Sequence, residues 1–254
     1  MTVADLFVLA AAGIAAGIVS TVAALASLVS YPVLLALGLP PLTANVTNTV
    51  SLCFAGVGAA AGSRPELAGQ AARLRRLGLV VALGGGTGAA VLLLSPARTF
   101  EVVAPVLIGG ASVVLLVQPT PPATQAVTDP GTSREGSWPR LISLFLVGVY
   151  VGYFGAAGGI LLLAVLVPML SQPLARTNAV KNVLTGVANG VAAIGFAAFG
   201  PVRWAAVLPL GAGFLIGGWI GPKLVRRIPG RLLQILIALA GLGLAIRLGL
   251  SAYR

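Results

Sequence analysis

Asn178, Lys181 and Asn182 open an otherwise apolar run, and together they have the chemistry to hold a small anion. A lysine supplies one positive charge, and two amides supply neutral hydrogen-bond donors. On a helix the three share one face. Just ahead of them, YFGAAGGILLLAVLVPML carries Gly155, Gly158 and Gly159 inside an apolar stretch, followed by Pro168 and Pro173. Irregular backbone at membrane depth is tolerated only where it is buried in protein or lines a cavity. A turn over 155–159 would leave amide N–H groups for a ligand, and a half-helix beginning near Ile160 would aim its positive end at an anion. Close helix packing is the competing use of such glycines.

The first half of the chain carries a weaker counterpart. Ser20, Thr21 and Ser27 offer hydroxyls where the second half has glycine, and Asn45, Thr47, Asn48 and Thr49 crowd one turn. Residues 45, 48 and 49 share a helix face. Helix capping accounts for Asn45 and Asn178, because Asn favours first turns. It does not account for Asn48 and Asn182, one turn deeper, where a buried amide needs a partner or a ligand. Lys181 has two uses open to it, contact with a substrate or snorkelling to the surface.

The elements that position these residues are membrane spans. Of the 254 residues 58% are hydrophobic and 8% charged, and the mean hydropathy is +1.04. Soluble domains carry about 25% charged residues. Apolar runs of ~18 residues or more follow one another, each able to cross a ~30 Å hydrocarbon core. The expected fold is therefore an all-α integral membrane protein. The net charge of +11 does not indicate nucleic acid, because the basic residues fall mainly in short loops between spans. One cysteine, Cys53, allows no internal disulfide, the absence of histidine argues against a protein metal site, and no cofactor is expected. An enzyme is disfavoured as well, since five scattered acids form no acid–base pair and Cys53 has no base beside it. The opening MTVADLFVLAAAG has Asp5 and no basic segment, so it is expected to stay as part of the first span.

The runs repeat at a displacement of about 134 positions. Gly13–Gly17 matches Gly148–Gly152, Thr43–Asn48 matches Thr177–Asn182 with Asn48 and Asn182 in register, and Pro96-Ala-Arg98 matches Pro229-Gly-Arg231. This divides the chain into a first transmembrane repeat over 1–118, a Pro/Thr/Ser-rich linker over 119–140 and a second repeat over 141–254. Each half opens on a run too long for one span, expected to break near Ser20-Thr21 and Tyr31-Pro32 in the first. If those runs cross fully, the basic residues split nine to seven between the two sides. If they are re-entrant, the halves are inverted and the split is twelve to four, with Arg98, Arg203, Arg247 and Arg254 outside. The positive-inside rule favours two inverted repeats, each opening with a broken or re-entrant hairpin and sharing a site near the midplane.

PPLTANVTNTVSL after a long N-terminal run, and YFGAAGGILLLAVLVPML followed by RTNAVKNVL, resemble the sulfite exporter TauE/SafE family of membrane transporters. The resemblance covers the chain except the linker, and its first-half loop keeps STVAALAS where many members carry glycines. It implies export of small sulfur-containing anions, sulfite or organosulfonates, across the inner membrane; an anion channel of the same fold is the alternative. The residues expected to bind substrate are Ser20, Thr21, Asn45, Asn48, Gly155, Gly158, Gly159, Asn178, Lys181 and Asn182. The expected partners are the small anion and the lipid bilayer, with a homodimer as a candidate assembly and no nucleic acid. All five acids lie in loops or near the ends of apolar runs, so no side-chain proton relay is expected and the membrane potential is the expected driving force.

Overall fold

Proline and glycine set most of the boundaries. In the computed structural model, which describes residues 1–23, 26–117, 137–155, 158–170, 172–224 and 230–252, the chain is helical. The first half runs α1 (Val3–Ala23), α2 (Ala26–Ala36), α3 (Pro41–Gly62), the single turn α4 (Arg64–Leu67), α5 (Ala71–Leu94) and α6 (Ala97–Val117). The second runs α7 (Trp138–Tyr153), α8 (Gly158–Leu166), α9 (Leu174–Phe199), α10 (Trp204–Leu224) and α11 (Gly230–Ala252). Most of the linker and the segment 225–229 lie outside the described residues. No strand occurs among those described.

Four of these helices are long and apolar enough to cross a membrane by length and composition: α1, α5, α9 and α10. Their outer faces leave large apolar side chains exposed, among them Leu83, Ile194, Phe199 and Leu208. The interior is largely apolar as well, and the polar residues Asn45, Thr47, Asn48, Ser51, Lys181 and Asn182 are buried within it. Apolar side chains facing out, with polar ones kept inside, are the distribution a bilayer selects. Trp138, Trp204 and Trp219 remain half exposed or more, as interfacial anchors do.

The long opening run of each half is broken. α2 and α8 have 11 and 9 residues, or about 16 and 13 Å, half of a hydrocarbon core. The second break falls at Gly155, whose φ of 76° is open to glycine and strained for other residues. Its N–H donates to Tyr150 O at 3.1 Å and ends α7. The first break is later than the sequence predicts: α1 continues through Ser20 and Thr21 to Ala23, and residues 24–25 lie outside the described set. Pro32 does not interrupt the chain, since α2 runs through it to Ala36. The sequence reading also puts Asn45 and Asn178 at caps. The N-caps are instead Pro40 and Pro173, neither with a side-chain cap bond.

The two halves pack by one pattern. α1 lies on α10 and α7 on α5, α3 lies on α10 and α9 on α5, and α3 meets α9 as α6 meets α11. The glycine pairs seen in the sequence are where backbones touch. A methyl on Gly13 would lie 3.0 Å from Gly213 Cα and one on Gly217 3.0 Å from Gly17 Cα, while a methyl on Gly84 would lie 3.0 Å from Gly148 Cα. Small residues at such contacts let membrane helices approach closely.

The order of these contacts gives helix directions. Gly13 then Gly17 meet Gly213 then Gly217, and Phe54 then Gly58 meet Gly211 then Trp219, so α1, α3 and α10 run the same way. With α1 and α3 parallel, α2 must bring the chain back to the side where α1 began. α7, α5 and α9 likewise share a direction, since Gly84 then Gly88 meet Gly148 then Tyr153, and Gly78 then Gly85 meet Leu184 then Ala188, which makes α8 the return arm of its hairpin. α3 and α9 are antiparallel. Arg176 near the start of α9 donates to Ala68 O at 2.6 Å just past α3, and Arg203 N past α9 donates to Thr47 Oγ1 at 2.9 Å near the start of α3.

Candidate functional site

α3 and α9 cross at Gly56 and Gly186, and the tips of both hairpins arrive beside that crossing. The result is a small cavity that opens through a mouth to the surface. α9 contributes Lys181, Asn182, Thr185 and Asn189. α3 contributes Leu52, Ala55 and Ala59. The first hairpin supplies Ser20 and Ser27 at its tip, and the second supplies Gly155 and Gly159.

Lys181 dominates the electrostatics. It is only 2% exposed, and among the described residues it has no hydrogen-bond or ion-pair partner. Holding an ammonium group in a low-dielectric interior costs several kcal/mol unless a counter-charge is present. The described acids (Asp5, Glu66 and Glu101) do not line the cavity. Asn182 and Asn189 are 7% and 4% exposed. The Thr185 hydroxyl is also buried and has no partner among the described residues. That sets it apart from Ser30, Thr49, Ser51 and Ser112, which donate to the carbonyl four residues back, as helical Ser and Thr do. Gly159 lies at the start of α8, where first-turn N–H groups have no intrahelical acceptor and favour negative charge. One unpaired cation, an unused hydroxyl, two amides and a helix start in one space constitute an anion-binding arrangement.

Of the residues the sequence singles out, Ser20, Ser27, Gly155, Gly159, Lys181 and Asn182 line this cavity together. Gly158 is buried at the start of α8, against Val151, and is not part of the lining. Asn178 lies one turn before Lys181 and outside the lining, and so do Asn45 and Asn48. The Thr21 side chain lies outside the described set. Asn48 is occupied elsewhere: Ser30 donates to its carbonyl at 2.6 Å and its amide donates to Ser27 at 3.2 Å, which ties α3 to α2. Asn45 donates to Tyr153 O at 3.0 Å, tying α3 to the end of α7 in the other half. Thr185 and Asn189 are the site residues that sequence reasoning missed. Their signal was present, since 181, 185 and 189 fall at i, i+4 and i+8 on one helix face.

Two sets of contacts outside the lining join the elements that carry it. Near the start of α6, Tyr31, Phe100, Tyr153 and Phe154 pack as an aromatic cluster, with Tyr31 and Phe154 edge to face at 5.8 Å. At the start of α5, Arg73 binds Gln70 and donates to Gln172 Oε1 at 2.8 Å, joining the α4–α5 connection to the α8–α9 connection.

Exposed apolar helix faces, with two broken hairpins meeting at a buried lysine-bearing cavity, define a helical membrane protein. Neither a curated protein nor a solved structure matches the chain. A family model does: "Sulfite exporter TauE/SafE" matches residues 9–248. The chain belongs to that family, a family of membrane transporters.

Proposed function

We propose that the protein exports small sulfur oxyanions, sulfite or organosulfonates, across the inner membrane, binding them in the cavity at Lys181. The observation that carries this reading is the burial of Lys181, without a counter-charge among the described residues, beside a Thr185 hydroxyl that has no partner among them. An anion satisfies both groups at once. The family's name supports the substrate class. Inverted-repeat transporters carry such sites near the midplane, at discontinuous helices whose ends face the substrate. The antiparallel course of α3 and α9 and the short return arms α2 and α8 support that architecture, with repeats over 1–118 and 141–254 around a cytoplasmic linker.

The mechanism is alternating closure around a fixed anion. The aromatic cluster closes one side and the Arg73–Gln172 contact the other, and opening either exposes the cavity to one face of the membrane. The experiment is binding and flux with purified protein, using sulfite, sulfoacetate, thiosulfate and sulfate. Saturable flux of at least one sulfur anion is expected, lost in Lys181→Gln and accelerated by substrate on the far side. Unsaturable flux without that acceleration would indicate a channel, and the absence of flux with every anion would remove the proposed function.

A further inference from the structure

The first hairpin reaches the cavity with a hydroxyl whose direction is set from behind. Ser27 lines the cavity and is 6% exposed. It is the second residue of α2, so it has no carbonyl four residues back in its own helix to take its proton. Its oxygen accepts from Asn48 Nδ2 at 3.2 Å, and among the described residues its own O–H has no acceptor. Asn48 Oδ1 in turn accepts from Ser30 Oγ at 2.6 Å. Ser30 also reaches Ala26 O at 3.0 Å, but one hydroxyl has one proton, and the shorter contact holds it more strongly. The two amide contacts fix the sense of the Asn48 side chain. A length of 2.6 Å suits O–H···O and is short for N–H···O, whereas 3.2 Å suits N–H···O and is long for O–H···O. Turned over, the amide would offer its carbonyl to Ser27 and draw that proton away from the cavity. Neither Asn48 nor Ser30 lines the cavity.

We propose that Ser27 donates a hydrogen bond from its hydroxyl to the transported anion, and that Asn48, held by Ser30, is the positioning residue that keeps this hydroxyl turned into the cavity. This rests on the cavity being the transport site. The anion is then held from both halves of the chain, by Lys181 and Asn182 on α9 and by Ser27 at the tip of the opposite hairpin. The second half has no equivalent device. Its return arm α8 reads GGILLLAVL and has no hydroxyl to offer, so it contributes backbone N–H groups at its start instead. A hydrogen bond to an ion is stronger than one between neutral groups. Turning the Asn48 amide over would forfeit that bond while every residue of the lining stayed in place.

The test is a double-substitution cycle on the purified full-length protein, with methanesulfonate affinity read from its ligand-dependent shift in thermal unfolding. Ser27→Ala is expected to weaken binding about tenfold, the low end for a hydrogen bond to an ion. Ser27→Thr, which keeps the hydroxyl, should bind like the parent. Ser30→Ala leaves the lining intact but lets the amide turn over, and should weaken binding at least ~3-fold. With both serines replaced by alanine, binding should be no weaker than in Ser27→Ala alone, because Ser30 acts only through that hydroxyl. Unchanged affinity in Ser30→Ala, or losses that multiply in the double variant, would overturn the positioning role of Asn48 and Ser30. Unchanged affinity in Ser27→Ala, with binding still lost in Lys181→Gln, would remove Ser27 from a site that otherwise stands. Binding that survives Lys181→Gln, or none by the parent chain, would overturn the cavity as the anion site and this assignment with it.

Discussion

Gly56 and Gly186 touch backbone to backbone where α3 crosses α9: a methyl built on Gly56 would lie 2.9 Å from Gly186 Cα. Both residues also line the cavity, so the crossing sets its width. The reverse substitution is milder, since a methyl on Gly186 would lie 3.3 Å from Gly56 Cα. Gly56→Ala is expected to destabilise the protein by about 1–3 kcal/mol, as overpacking does, and Gly186→Ala by less. Thermal unfolding in detergent checks the order. Equal, negligible effects would mean that the helices part freely at this point.

Asn48 and Asn182 occupy matching places in the two halves and have different surroundings. Asn48 is spent on Ser27 and Ser30, whereas Asn182 faces the cavity. Asn48→Leu removes an acceptor of Ser30, which keeps Ala26 O, and the donor to Ser27, and is expected to cost about 1–3 kcal/mol of stability. Asn182→Leu should insert and unfold like the parent but lose at least tenfold in anion affinity. Parallel titrations of the two variants with methanesulfonate check this, and an unchanged affinity in Asn182→Leu would remove that amide from the site.

The proposed orientation places the α4 turn and the linker in the cytoplasm and the start of α6 outside. Single cysteines at Ala68, Thr132 and Thr99, introduced with Cys53→Ala, test it in intact cells with an impermeant maleimide. Ala68 and Thr99 are exposed, so burial does not mask their labelling. Labelling of 99 alone is expected. Labelling of 68 and 132 but not 99 would reverse the orientation.

Driving force follows from the missing relay. The described acids do not line the cavity, and the chain has no histidine, so proton transfer through cavity side chains has no acid–base group other than Lys181. A monoanion leaving a negative-inside cell gains roughly 2.3 kcal/mol per 100 mV, a little under two decades of concentration ratio. Flux in proteoliposomes with a valinomycin-clamped potassium gradient and no pH gradient is expected to rise with potential. Accumulation driven by a pH gradient alone, at zero potential, would establish proton coupling instead.

Composition alone determined that the chain spans a membrane, because 8% charged residues cannot clothe a soluble surface of this length. Local spacing determined the break at Gly155, since a glycine cluster followed by Pro168 leaves no uninterrupted span there. The helical period likewise held the Lys181–Thr185–Asn189 stripe, which overlaps the more polar 178–182 cluster. The fate of Asn48 was not legible. Its partners lie 18 and 21 residues away on the return arm of a hairpin, and whether a buried amide meets a hydroxyl or a ligand depends on how α2 folds back. Helix directions were undecided for the same reason. Period and hydropathy read the same in either direction, and only the order in which Gly13 and Gly17 meet Gly213 and Gly217 made α1 and α10 parallel. The cavity is the strongest case. Its two walls come from residues more than a hundred positions apart, and it exists only because two glycines let α3 and α9 cross closely enough to enclose Lys181.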